Sequence, residues 1–276
     1  MEIIDSQVHV WAPSTPERPW SGTLKESHGP QLMPDELLAR MDEAGVAAAV
    51  LVPPNWEGHR NDIALAAAKA HPKRFAVMGR LLPDMPATPG ILKDWRKKPG
   101  MLGLRFSFRH KHLEAPLVNG SFDWLWPEAE REQAHLMLLV SHSQLKYVEP
   151  IAARHPGLRI IIDHLGLEGG NYDADAFATL DTLLGSAKYP NIAVKASAMP
   201  AYTRDAYPFR ALHPWFKRIV DAYGPKRVFW GTDLSRLPCT YKEAVGMVTE
   251  GMDWLTAEEK EWIMGRGICE WLGWKR

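Results

Sequence analysis

Ile3-Ile4-Asp5-Ser6-Gln7-Val8-His9-Val10 opens the chain with apolar side chains on both faces of an extended run and polar ones interleaved among them. A run apolar on both faces belongs to a strand buried in a parallel sheet. Period-two alternation puts Gln7 and His9 on one face of that strand. Seven further short runs rich in Val, Ile and Leu follow, at Val46 to Val52, Phe75 to Leu81, Met101 to Phe106, Leu136 to Val140, Leu158 to Ile162, Asn191 to Ala196 and Arg227 to Trp230.

Stretches of helical period with recognisable ends separate these runs. Pro34-Asp35-Glu36 opens a helix that Gly45 closes, and Asn61-Asp62 opens one that stops before Pro72. Gln144 to Arg154, Ala174 to Leu184 and Phe209 to Tyr223 follow the same grammar, each ending before a Gly or a Pro. Ile91 to Lys98 is short, and Phe122 to Glu132 carries Pro127, which is expected to end or kink it. Eight strand-helix units in 276 residues give about 34 residues each, in line with a βαβ crossover. The fold predicted is α/β, a single-domain (β/α)8 TIM barrel over residues 1–276, with the Pro-rich stretch from Trp11 to Pro34 and the segment from Pro200 to Pro208 as loops over one mouth.

Composition narrows the partners. Lys and Arg number 33 against 33 Asp and Glu, and the longest cationic cluster, Arg96-Lys97-Lys98, is too short to track a phosphate backbone, so nucleic acid is excluded as the main partner. No window reaches 18 uncharged apolar residues, and the start of the chain has neither a basic nor an apolar leader region, so a soluble, unprocessed protein without membrane contact is expected. Cys239 and Cys269 form no metal or disulfide spacing, which suits the cytoplasm. The oligomeric state has no signature in the chain.

In such a barrel the chemistry lies at the C-terminal ends of the strands. Those ends read Gln7 and His9, then Arg105, Ser107 and Arg109, Ser141 and His142, Asp163 and His164, Lys195 and Ser197, and Thr232 and Asp233, on strands one and four to eight. Taken singly, each has an ordinary structural role as a cap or a buried hydrogen-bonding group. Their joint occurrence at corresponding positions points to a site. Arg109 joins Arg105 on one substrate only by folding back, since residues four apart on a strand stand ~13 Å apart. Trp11, Trp56 and the loop from Tyr202 to Tyr207 are candidate pocket walls. Trp124, Trp126, Trp215, Trp254, Trp262, Trp271, Met247 and Met252 are read as core packing.

The segments Ile3 to Trp11, Asp163-His164-Leu165-Gly166 and Trp230-Gly231-Thr232-Asp233 resemble the amidohydrolase superfamily, and more narrowly its amidohydrolase-2 branch of sugar and aromatic-pathway lactonases. The closing Ile263-Met264-Gly265-Arg266-Gly267 is similar to that family's last helix, with Gly267 where Asn is usual. Metal-dependent members carry His-x-His on the first strand, where this chain has Gln7-Val8-His9, and strand four offers Arg105 rather than a metal-bridging lysine. An amide oxygen is a poorer zinc ligand than imidazole. The resemblance therefore implies either one divalent ion, Zn or Mn, on His9, His142 and Asp233, or no metal.

The function it implies is hydrolysis of a lactone that bears a carboxylate. Asp233 is the expected general base, His164 and His142 assist catalysis, and Gln7, Trp11, Arg105, Arg109 and Arg236 bind a small anionic substrate. A metal-dependent decarboxylase of an aromatic or muconate-type acid, a lactone isomerase and a non-catalytic binding protein are the alternatives.

Overall fold

The computed structural model of the protein describes residues 1–21, 29–81, 87–109 and 111–276, without the side chains of 111–113. Eight strands form one parallel sheet in the order β1 to β8: β1 Ile4–Val8, β2 Ala48–Leu51, β3 Phe75–Gly79, β4 Met101–Ser107, β5 His135–Leu139, β6 Ile160–Ile162, β7 Ile192–Ser197 and β8 Val228–Gly231. All eight match the runs read from the sequence to within a few residues at each end. Helices cover the outside, so the architecture is the expected barrel.

Alternation along the strands divides the core in two. Ala49 and Leu51 of β2 face the helices, whereas Ala48, Val50 and the following Val52 face the barrel axis with Ala76, Met78, Leu102, Met137, Ile161, Ala193 and Phe229. Ile268, Leu272 and Trp274 of the C-terminal segment pack into this inner cluster with Ile4 and plug the barrel at the N-terminal ends of the strands. The opposite mouth is left to polar residues. Trp124, Trp215 and Trp254 are packed against the core, and Trp126, Trp262, Met247 and Met252 are buried in it, as expected.

The helical segments differ from expectation at three places. The stretch after β4 contains two helices, Lys111–Val118 and Leu125–Arg131. Pro127 sits in the first turn of the second, where backbone N–H groups have no intrahelical partner in any case, so the proline neither ends nor kinks it. The expected Ala174 to Leu184 helix is two short ones, Asp173–Ala176 and Leu180–Gly185, broken where Phe177 stacks on Trp215 with ring centroids 5.1 Å apart. After β3, only the short turn Trp95–Lys97 is helical. Part of the Trp11 to Pro34 loop lies outside the described residues; its described ends meet in the Trp11–Leu32 bridge and in the Ser21 N–H to Trp56 carbonyl bond, at the mouth beyond β1 and β2.

Seven of the strand junctions are backbone ladders, and the eighth, between β1 and β8, is made by a side chain. Asp5 is fully buried, and its Oδ1 accepts from Gln7 N–H and Thr232 N–H, each at 2.9 Å. Its Oδ2 accepts from the Thr232 hydroxyl at 2.5 Å and the Tyr241 hydroxyl at 2.7 Å. Gly231 has to be glycine for the strands to come this close, because a Cβ there would stand 2.6 Å from Ser6 Oγ and 3.1 Å from Gln7 N. The bond from Asp233 N–H to the Gln7 carbonyl, 2.9 Å, completes the seam.

Burial pushes the Asp5 carboxyl up to about 6, against the pull of its four hydrogen bonds. A raised folded-state pKa means that this group's contribution to stability is complete below the ordinary value and is lost as pH rises through about 6. Wild type is expected to lose up to about 3 kcal/mol from this group between about pH 4 and pH 7, a decrement that Asp5→Asn lacks, in urea unfolding followed across that range. Asp5→Ala, which strands four donors, is expected to cost about 2–4 kcal/mol in the same measurement at neutral pH.

Candidate active site

Three strand ends at the polar mouth leave the sheet through left-handed backbone: His164 after β6 at φ 50°, Ala198 after β7 at φ 56° and Asp233 after β8 at φ 49°. Non-glycine residues pay for this conformation, and such strain collects at functional sites. Here it aims His164 and Asp233 at each other.

Asp233 is the centre of the group. Its Oδ1 lies 3.1 Å from His9 Nε2, and its Oδ2 lies 3.7 Å from both His164 Nε2 and Arg236 Nη1. Burial alone would raise its pKa, but His164, the hydrogen bond from His9 and the Arg236 charge outweigh burial and hold the carboxyl well below the usual range. His164 is also buried, and desolvation pulls its imidazole down to about 3 despite the neighbouring carboxylates, so the ring is neutral near pH 7. Ser197 Oγ is 2.8 Å from His164 Nδ1. With the serine donating, the ring proton sits on Nε2, on the side of Asp233.

His9 is oriented from behind. Its Nδ1–H donates to the Val52 carbonyl at 2.6 Å, which turns Nε2 toward Asp233 and toward the Gln7 amide nitrogen 3.3 Å away. A neutral ring accepts from Gln7 there, and a protonated ring donates to Asp233. The Gln7 amide itself cannot flip. Lys195 Nζ donates to Gln7 Oε1 at 2.6 Å and pairs with Asp163 Oδ1 at 2.8 Å, and both Lys195 and Asp163 have no exposed surface. Arg105 holds the other Asp163 oxygen at 3.2 Å. Burial would lift the Asp163 carboxyl, and the two cations overcome it and keep it ionised. A relay of fixed contacts thus runs from β6 through Lys195 and Gln7 to His9 and Asp233.

Other expected site residues stand elsewhere. His142 donates Nε2–H to the Leu165 carbonyl at 2.8 Å and accepts from Thr179 Oγ1 on Nδ1 at 2.7 Å, so neither nitrogen is free for catalysis or a metal. It lines a separate cavity of about 440 Å³ with Ser141, Glu168 and Thr179, and Gly166 packs so closely on it that a Cβ would meet the ring at 2.7 Å. The Arg105 fork is already committed to Asp163, Asn55 and Ser107, with the last two 2.9 and 2.5 Å from Nη1. Arg109 is bonded to the Val140 carbonyl at 3.3 Å, in the field of Glu168, Tyr202 and Arg236. Arg236 lies over the Tyr202 ring, 5.6 Å from its centroid. Trp11 packs edge-on against Trp56, which in turn meets the edge of His9, at centroid distances of 5.4 and 5.7 Å.

The set His9, His142 and Asp233 is therefore not assembled, and among the described residues no group of three or more His, Cys, Asp or Glu is arranged to hold a metal ion. The fourth direction is closed as well, because the Gln7 oxygen is bound to an ammonium. These residues do not fit the divalent ion that was one of the two possibilities implied by the family resemblance. Reading the strand ends missed two side chains, Asn55 after β2 and Arg80 after β3; the rule used for the other strands finds both.

The model of the family described as amidohydrolase matches residues 4–266. The chain belongs to the amidohydrolase family. Among curated relatives it is 28% identical over 233 residues to the 4-sulfomuconolactone hydrolase of Hydrogenophaga intermedia, covering 83% of this chain and 73% of that protein. It is 24% identical to the L-fucono-1,5-lactonase of Burkholderia multivorans, covering 95% and 93%. A crystal structure of an amidohydrolase from Burkholderia multivorans with bound zinc superposes over the whole of both chains with a TM-score of 0.83 at 21% identity. No helix among the described residues of this family member is long and apolar enough to cross a membrane.

Lys195→Met should leave Asp163 with half its neutralisation and Gln7 free to rotate. The expected outcome is a loss of about 3–5 kcal/mol in urea unfolding, the range for breaking one side of a buried ion pair.

Proposed function

We propose that this amidohydrolase opens a lactone carrying an anionic substituent, with Asp233 as the general base toward water. The observation that carries this reading is the meeting of Asp233 with His9, His164 and Arg236 within 3.7 Å at the mouth of the barrel. The two curated relatives, both lactone hydrolases by name, support the same reaction class.

In this mechanism a water attacks the ring carbonyl as Asp233 takes its proton. The neutral Nε2–H of His164 donates to the developing oxyanion, the position where a preorganised donor does most for acyl transfer. The ring C–O bond then breaks, and the leaving alkoxide takes back the proton, giving a hydroxy acid. A carboxylate held as low as Asp233 is a weak base but a strong acid once protonated, which favours the return step. His9 Nε2 at 3.1 Å gives the proton a second place to rest between the two steps. Arg236 and Arg109 lie in each other's field, with Glu168 partly balancing Arg109 and Asp233 partly balancing Arg236.

The reaction as written runs on protein groups, and we expect no tightly held metal, since the donor set for one is dispersed. The decarboxylase alternative gains no residue from this arrangement. We place the enzyme in the cytoplasm, where its two free cysteines stay reduced.

Asp233→Asn is expected to lower kcat about 10²–10⁴-fold on a sugar 1,5-lactone or a carboxylated muconolactone, followed by proton release, and near-normal turnover would overturn the mechanism. Dialysis of wild type against a chelator should leave its lactonase rate unchanged and its metal content, read by plasma emission, far below one ion per chain.

A further inference from the structure

Arg80 follows β3 directly at the polar mouth and is only 6% exposed. Its Nη1 reaches the Pro53 carbonyl at a long 3.4 Å, its Nε has no hydrogen-bond partner, and no carboxylate pairs with it among the described residues. The charged group that perturbs it is another cation, Arg105. Both guanidinium groups end at the same short turn after β2, Arg80 on the Pro53 carbonyl and Arg105 on the Asn55 side chain. The backbone of Arg80 is pinned there. Its N–H donates to Asn61 Oδ1 at 2.7 Å, and Asn61 Nδ2 donates to its carbonyl at 3.0 Å.

A buried charge without a partner is costly, and the other buried ionic groups of the mouth have one: Lys195 and Arg105 share Asp163, and His9 faces Asp233. Among the described residues, the barrel interior therefore holds three cations, Arg80 after β3, Arg105 on β4 and Lys195 on β7, with Asp163 as the carboxylate paired to two of them. Burial and the Arg105 charge pull the Arg80 guanidinium down to about 9, which still leaves it charged at neutral pH. An anion brought by the substrate would relieve this excess. Its place also makes geometric sense, because β3 and β4 stand three and four strands around the eight-stranded barrel from β8, after which Asp233 follows.

We propose that Arg80, with Arg105 beside it, seats the anionic substituent of the substrate, a carboxylate held by a planar donor fork, while the lactone carbonyl extends across the mouth to Asp233. The proposal rests on the lactonase reading for the identity of the substrate and on Arg80 alone for the anion. It makes Arg80 the residue that separates charged from uncharged lactones.

Two measurements test it. The first compares kcat/KM of wild type, Arg80→Met and Arg80→Lys on a five-membered lactone bearing a carboxylate and on the same ring bearing a methyl group. The ratio of the two values should fall at least about 30-fold in Arg80→Met and less in Arg80→Lys, mainly through KM for the charged lactone. An unchanged ratio would overturn the proposal. The second is titration calorimetry with glutarate, which needs no turnover: wild type should bind it and Arg80→Met should bind at least about 30-fold more weakly. Failure of wild type to bind glutarate, or equal binding by both, counts against the anion seat, whereas glutarate binding lost in Arg80→Met with no hydrolysis of either lactone sinks the lactonase reading alone. Thermal melts of both variants establish that they are folded, and Arg80→Lys carries the comparison if Arg80→Met is not.

Discussion

The carboxylate of Asp5 closes the one seam of the barrel that has no backbone ladder. Four hydrogen bonds converge on it from Gln7, Thr232 and Tyr241, and two of them come from the backbone N–H groups that flank the candidate site. Gln7 and Thr232 adjoin His9 and Asp233 so closely that the geometry of this carboxylate is passed directly to the site. The arrangement has a thermodynamic cost, since the same burial that makes the hydrogen bonds strong opposes the ionised form they require. It also explains why the first strand can carry three polar residues and still lie in the core.

Behind that seam, the interior is organised by charge. Asp163 gathers Lys195 and Arg105, and Lys195 fixes the direction of the Gln7 amide. The Gln7 side chain is thereby turned into an orienting group, with its oxygen on an ammonium and its nitrogen on His9. The neutral composition of the chain conceals this: the mouth concentrates cations, and its carboxylates are already engaged.

The strands were legible because parallel strands buried on both faces leave uninterrupted apolar runs, and glycine and proline mark the helix ends. The site was legible in part. Period two brought Gln7 and His9 to one face, and the strand-end rule found His164 and Asp233, which the fold brings together. It failed for His142, because position at a strand end does not say where the side chain turns. There the left-handed His164-Leu165-Gly166 backbone offers a carbonyl that captures the ring. Arg105 was read as a free fork because its partner Asp163 is 58 residues away, a separation that no local pattern encodes. The split of the Ala174 to Leu184 helix was equally hidden, since it turns on an aromatic stack with a distant helix.

The bonds from Thr232 and Tyr241 to Asp5 join residues 227 and 236 positions apart, and the plug of Ile268, Leu272 and Trp274 comes from the last residues of the chain. The first strand therefore cannot be closed against β8, and its carboxylate stays in water, until the 227 residues that separate Asp5 from Thr232 have been made. Such non-local closure is slow and leaves apolar strand faces open to other chains in the interval. The arrangement of Asp233 beside His9 thus rests on contacts between segments more than 220 positions apart in the chain.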